Sequence, residues 1–346
     1  MVKKNQWARI ASAFGDALPV ARLHPAAVAW MAGRSARERV AVALSGGADS
    51  VALLLLLWAH FPERRGRLLA LHFDHRLRGR ASAADARFCA ALCRGLGVEL
   101  ASGRWDDAPA APSEGEARAA RIQFFTTTLR RRRVAALATG HHRDDVAETF
   151  FMRLARGAGT AGLSAPRPVQ DQPGLGRTVL RPLLGLDKAE LVAALRAAGA
   201  RWREDASNAT DEHLRNRVRA KLVPAWRELA AEPGRDALGG IALSRELLEE
   251  DDTALEAWAE RAMRIDARGG LALAPLRGLP RAVLRRVLRR WLAATPAQTD
   301  LNRKGFNGLL ELAGAAGRTG AKHSLGAGHF ALRRKTRLVC IAAQAG

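Results

Sequence analysis

Apolar positions in the first half of the chain fall into two kinds of segment. Short continuous apolar runs occur at Val40–Leu44, Leu68–Phe73, Val98–Ser102 and Val134–Thr139. Runs of that length, bounded by polar or glycine-bearing stretches, read as strands buried on both faces. Between them, Asp49–Ala59, Ala81–Leu96, Glu114–Arg132 and Asp144–Leu154 carry apolar residues at helical spacing. Buried strands alternating with helices predict an α/β fold, a doubly wound parallel sheet with right-handed crossovers.

Beyond Arg156 the pattern breaks. Gly157–Gly176 is dense in glycine and proline and reads as a loop or turn region. Helical spacing returns at Asp187–Ala198 and Glu212–Leu222, and Ala231–Gly240 (AEPGRDALGG) is the best linker. The expected division is a larger α/β domain over 1–230, its core starting at about 38, and a smaller, mostly helical domain over 231–346. The second domain carries helical patterns at Ile241–Ala267, Pro280–Ala293 and Leu301–Ala313, then strand-like pieces.

Composition narrows the class. With 346 residues, 48% hydrophobic and 26% charged, the chain is globular and long enough for two domains. Its 56 Lys+Arg against 34 Asp+Glu give a net charge of +22. A polyanionic partner such as nucleic acid would explain that, and so would a GC-rich coding sequence, which also favours Arg over Lys and disfavours Tyr. The longest apolar run, Val51–Ala59, is about half the ~20 residues a membrane-spanning helix needs. Asp16 and Arg22 interrupt any signal-like apolar core. Cys89, Cys93 and Cys340 form an odd set without secretory context, read as free thiols of a cytoplasmic protein.

The strongest chemical signal is SGGADS, residues Ser45, Gly46, Gly47, Ala48, Asp49 and Ser50, directly after a strand and before a helix. Paired glycines let successive N–H groups converge on one point, and the helix N-terminus adds donors and partial positive charge. Such a loop suits pyrophosphate. Ser45 and Ser50 can add hydroxyl donors, and Asp49 is placed to hold Mg²⁺ against phosphate oxygens. No Lys follows the glycines, so this is not the Walker form, nor is it a dinucleotide fingerprint. The loop resembles those of the PP-loop ATP pyrophosphatases.

Two further clusters close strands. His72-Phe73-Asp74-His75-Arg76-Leu77-Arg78 ends the second, and His141, His142, Asp144 and Asp145 end the fourth. Asp145 and Glu148 lie three apart on one helical face. Such a cluster can remove a proton, ligate metal, or merely cap a helix with solvated charges; a zinc site finds no cysteine nearby. Downstream, Trp202-Arg203-Glu204-Asp205 and Arg215-Asn216-Arg217-Val218-Arg219 are dense in charge and could bracket phosphates.

SGGADS, HFDHRLR, EGEARAARIQFF, ATGHHRDDVAETFFMRLARGAG, and WREDASN followed by RNRVR occur in this order over Val40–Pro224. Together they resemble the bacterial tRNA(Ile)-lysidine synthetase family. Ile122 stands where that family often has Tyr, and Val146 where it often has Gln. The chain also stops early, which implies that a further C-terminal tRNA-binding domain of longer members is missing. The resemblance implies ATP-dependent adenylation of the wobble cytidine of tRNA(Ile) with a CAU anticodon, then attack by free L-lysine. It implies Mg²⁺ at Asp49, allows a homodimer, and makes Asp49, His141, Asp145, Glu148, Arg215 and Arg217 the reacting set. Asp145 with His141 would serve or orient the base, Glu148 would bind an ammonium of the lysine, and Arg215 and Arg217 would face phosphate or the adenylated base. Lys322-His323 and Arg333-Arg334-Lys335 are candidate tRNA contacts. Two rivals remain: a sulfur-inserting PP-loop enzyme using Cys89 and Cys93, and a non-catalytic RNA-binding protein.

Overall fold

The computed structural model describes residues 6–76, 79–109, 112–204, 214–230, 236–297, 301–314 and 317–343. The chain divides into two compact units, residues 1–246 and 247–346. The dividing point falls inside a long helix and not in Ala231–Gly240, of which residues 231–235 lie outside the described set.

In the first unit, helices α1 (Gln6–Ala17) and α2 (Pro25–Ala32) precede strand β1 (Arg39–Ala43). There follow α3 (Ala48–His60), β2 (Leu68–Asp74), α4 (Arg80–Leu96), β3 (Glu99–Arg104), α5 (Glu114–Arg131), β4 (Val134–Ala138) and α6 (Arg143–Leu154). A short α7 (Thr160–Leu163) leads to β5 (Val169–Gln172) and β6 (Arg177–Leu180), then α8 (Lys188–Ala197), α9 (Leu214–Arg217) and α10 (Val223–Leu229). A π-helical turn at Val218–Leu222 joins the last two. Helix α11 (Ala237–Ala262) crosses into the second unit.

The sheet order is β3-β2-β1-β4-β6-β5, parallel throughout except for the antiparallel edge pair β5–β6. Alternation along each strand builds two cores, because successive side chains point to opposite faces. Val40 and Val42 of β1 join Leu68, Ala70 and Ala136 in a core with α1, α3, α4 and α8. Ala41 joins Leu69, Leu71 and Leu137 in a second core against Phe125 and Leu129 of α5. The doubly wound reading therefore holds. Leu53–Leu57 of α3 are fully buried, each contributing about 1.5–3 kcal/mol of transfer free energy. This explains the long apolar run without a membrane, and among the described residues no helix is long and apolar enough to cross one.

Three expectations need correction. The region expected to be loop, Gly157–Gly176, contains α7 and β5 and runs into a hairpin that extends the sheet. Its strands are four residues each, too short to show a period through the surrounding Gly and Pro. Gly176 takes a left-handed φ of 58° at the turn, so its glycine is a hairpin requirement. The core of this unit also begins well before residue 38: Trp7, Ile10, Ala11 and Phe14 of α1 belong to it. The helix expected at Glu212–Leu222 is helical from Leu214; Glu212 lies outside the described residues, as do Asp205–Asn208, Leu77 and Arg78.

The second unit holds the rest of α11, β7 (Leu271–Ala272), α12 (Arg281–Ala293), α13 (Arg303–Ala313) and strands β8 (Lys322–Gly326), β9 (His329–Arg333) and β10 (Arg337–Ala342). These strands form an antiparallel sheet in the order β7-β10-β9-β8. Its core centres on Trp291, Val287 and Leu309.

Candidate active site

The loop Ser45–Ser50 sits between β1 and α3, at the carboxyl end of a central strand, where open α/β sheets place their ligands. Gly46 has φ +94°, and a Cβ there would meet Cys89 Sγ at 3.3 Å. The positive φ demands glycine, and the contact adds crowding. The serine hydroxyls are engaged in the loop itself. Ser50 Oγ accepts from the N–H groups of Ser45 and Gly46, each at 3.2 Å, and donates to the Gly47 carbonyl at 3.0 Å. Ser45 Oγ accepts from Gly47 N–H at 3.3 Å. Their first role is thus to hold the cradle in shape.

Asp49 lies in the first turn of α3 and pairs with the ammonium of Lys188, the first residue of α8. His142 Nε2 is 3.7 Å from the same carboxylate oxygen. Gly140, before α6, permits this approach: a Cβ there would lie 2.8 Å from the Asp49 carbonyl oxygen. Lys188 was not anticipated, since in sequence it reads as an ordinary helix residue after DKAEL begins.

The fourth-strand cluster comes together at the start of α6. Asp145 Oδ2 accepts the His142 backbone N–H at 3.0 Å, and Asp145 Oδ1 accepts from Arg215 Nη2 at 2.6 Å. Burial would raise the Asp145 pKa, but His142, His141 and Arg215 outweigh it and hold the carboxyl below its usual range. A carboxylate so stabilised is a weak base, which suits orientation better than proton removal. Glu148 is 1% exposed, its oxygens engaged by Arg215 Nε at 2.7 Å and by Arg219, whose Nη2 lies at 3.1 Å. The expected ammonium-binding carboxylate is therefore already paired with two guanidiniums.

Arg215 and Arg219 line the cavity, whereas Arg217 is not among its lining residues. Residues four apart share a helical face while residues two apart do not. Read by that rule, the RNRVR motif could have singled out Arg215 and Arg219.

The two histidines are tuned in opposite directions. Burial pushes His141 down to about 4, helped by Arg181 and Arg215 and opposed by Asp145. Its imidazole is neutral at pH 7, with Nδ1 2.9 Å from Thr139 Oγ1. Burial also acts to lower His142, but contacts with Asp144, Asp145 and Asp49 prevail and raise it.

Ser45, Asp49, His141, Asp145, Lys188, Arg215 and Arg219 line one cavity of about 1140 Å³ that also reaches Arg118 and Arg121 of α5, Arg181 and Arg203, while His142 and Glu148 are buried behind its lining. Arg203 N–H donates to the Gly46 carbonyl at 2.8 Å and its Nε to Asp85 at 2.7 Å, fastening the downstream segment to the loop. His72 bonds the Leu44 carbonyl through Nδ1 at 2.9 Å, joining two strand ends, while His75 packs edge-on against Phe73 at 4.8 Å. Ile122 lines the cavity and Val146 is buried in an apolar cluster beside it, so neither adds a polar group at those places. Cys89 and Cys93 are buried, and burial first among the causes pushes both up to about 12. They are packed thiols, not thiolates. Among the described residues no three His, Cys, Asp or Glu side chains form a group able to cage a metal.

Residues 24–226 match the description of a PP-loop domain, and residues 271–339 that of a TilS substrate binding domain. A tRNA(Ile)-lysidine synthase of Geobacter sulfurreducens is 40% identical over 78% of this chain and 57% of its own length. One from Symbiobacterium thermophilum is 36% identical over 83% and 61%. The chain thus spans less than two thirds of these relatives. One from Novosphingobium aromaticivorans is 39% identical over 73% of this chain and 74% of its own. A U34-tRNA thiolase structure from Methanococcus maripaludis shares the fold at a TM-score of 0.52 and 20% identity, covering 65% of this chain and 77% of its own.

Proposed function

This chain belongs to the tRNA(Ile)-lysidine synthase family of PP-loop proteins, and from that premise we propose that it makes lysidine in the anticodon of an isoleucine tRNA. The observation that carries the reading is a single cavity with a pyrophosphate cradle at one end and a histidine–carboxylate–arginine cluster at the other. ATP and a second substrate can meet there.

In the first step the wobble-cytidine C2 oxygen bonds to the ATP α-phosphorus, and pyrophosphate leaves with the electron pair of the broken P–O bond. In the second, the lysine ε-amine bonds to C2 and AMP leaves. The loop N–H groups and the α3 N-terminus are oriented to take up the charge on pyrophosphate without reorganising. A magnesium ion fits beside them. Asp49 offers one carboxylate at the cradle, and Mg²⁺ is commonly held by one or two carboxylates plus phosphates. There it would neutralise phosphate charge.

Lysine's ammonium, with a reference pKa of about 10.4, must lose a proton before it attacks. His141, neutral above about pH 4, has a lone pair that can accept a hydrogen bond from the ammonium and orient it, and Asp145 orients the cluster; the proton itself passes to solvent. Arg215 and Arg219 are half-exposed at the cavity and can move from Glu148 to a phosphate, leaving Glu148 for the substrate ammonium. Arg217, exposed and not among the residues lining the cavity, is better suited to RNA phosphate than to the reacting atoms. An enzyme using tRNA, ATP and free lysine works in the cytoplasm.

The test is nucleoside mass spectrometry of an isoleucine tRNA transcript after incubation with the protein, ATP, Mg²⁺ and lysine. Lysidine is expected. Release of pyrophosphate without lysidine would point to another PP-loop modification, and tRNA binding without ATP turnover to the non-catalytic reading. Against sulfur insertion stand the two buried, protonated cysteines.

A further inference from the structure

Phosphate loops of the Walker type carry a lysine that reaches the β- and γ-phosphates, and this loop has none. The structure nevertheless brings one lysine to it from far along the chain. Lys188 pairs with Asp49, in the first turn of the helix that the loop starts, and lines the same cavity.

Three features argue that this lysine is more than a structural partner. First, it is the opening residue of α8, where a cation opposes the helix dipole and an acidic residue would be favoured. Helix stability therefore does not call for it. Second, its backbone is anchored. Lys188 N–H donates to Asp144 Oδ2 at 2.9 Å, and the preceding Asp187 is held by Arg143 Nε at 2.7 Å. Only the side chain is left to move, and it is 40% exposed. Third, its partner Asp49 is a single, partly exposed carboxylate, and the several oxygens of a pyrophosphate moiety arriving in the same cavity can compete with it for the ammonium.

We propose that Lys188 is a catalytic residue that leaves Asp49 on nucleotide binding and contacts the pyrophosphate moiety, supplying the cation that the loop's own sequence lacks. During adenylation the bond from C2 oxygen to the α-phosphorus forms and the bond from that phosphorus to the bridging oxygen breaks. The electron pair goes to pyrophosphate, and the Lys188 ammonium offsets the added charge while keeping its proton. The inference rests on the reading of the cavity as an ATP site.

The experiment is calorimetric titration of the full chain with pyrophosphate, and separately with AMP, in EDTA so that no metal bridges the contact. Lys188→Met is expected to weaken pyrophosphate at least tenfold and leave AMP unchanged. Lys188→Arg keeps a cation and should retain most of the affinity. Asp49→Asn alone should bind pyrophosphate at least as well as wild type. The decisive variant is Lys188→Met/Asp49→Asn: direct contact predicts that it stays weak. Recovery of wild-type affinity in the double variant would mean that Lys188 only neutralises Asp49, and would overturn the proposal. Equal loss of AMP and pyrophosphate binding in Lys188→Met, or no pyrophosphate binding by wild type, would overturn it too. A wild-type protein that makes no lysidine fails the functional reading separately.

Discussion

The two ends of the cavity are built by different means. The Ser45–Ser50 loop end is mostly backbone: a glycine at φ +94°, a helix N-terminus, and hydroxyls that bind the loop to itself. The other end is mostly side chain, with Asp145 and Glu148 of α6 meeting Arg215 and Arg219 some seventy residues later in the chain. A backbone site depends on a few consecutive residues and tolerates little change among them. A side-chain site depends on distant segments meeting, and its members can exchange partners during a reaction. The pairing of Glu148 with two arginines and of Asp49 with Lys188 is of that exchangeable kind.

Substitutions can break this contrast. Asp49→Asn should preserve the fold and lower pyrophosphate release by orders of magnitude, measured in a coupled assay with tRNA; near-wild-type turnover would remove Asp49 from the chemistry. At the side-chain end, Arg219→Ala should reduce kcat/KM about 10²-fold, as loss of a charged group at a reacting centre commonly does. Arg217→Ala should cost only a few-fold, through tRNA affinity. The reverse order would contradict the assignment.

Gly140→Ala tests how closely the two ends are packed. A methyl 2.8 Å from the Asp49 carbonyl must displace backbone, at an expected cost of about 1–3 kcal/mol, seen as a lowered Tm. An unchanged Tm would show that the contact yields easily.

The smallest effect expected is on pH dependence. His141 binds a proton less readily folded than unfolded, so between about 4 and its ordinary 6.5 it makes stability fall as pH falls. His142 is raised, so its contribution is complete below 6.5 and is lost as pH rises through its folded value. Thermal melts of His141→Gln against wild type across acid pH should show a shallower loss of stability. A steeper loss would reverse the sign assigned to this site.

The same contrast explains what was legible in the sequence. The four core strands, their helices and the Ser45–Ser50 loop were readable because each is a local pattern: a continuous apolar run, a helical spacing, a glycine pair at a strand end. The hairpin of β5 and β6 was not, because its strands are short and its turn residues dominate the composition. Helix α1 was not legible because its apolar face, Trp7, Ile10, Ala11 and Phe14, is short and has no motif beside it. Asp49, Asp145 and Arg215, singled out by motif, meet at one cavity. The pairing of Lys188 with Asp49 was not legible, because nothing local marks it; only the tertiary fold brings the two together. Arg219 was missed for a simpler reason, since helical spacing from Arg215 would have favoured it over Arg217.

Lysidine formation is the most direct measurement. Purified protein, ATP, Mg²⁺, lysine and an isoleucine tRNA with a CAU anticodon should yield digested nucleosides containing cytidine plus lysine less one water. One AMP and one pyrophosphate should be released per lysidine. Folded protein that binds the tRNA yet yields unmodified cytidine under these conditions would contradict the account.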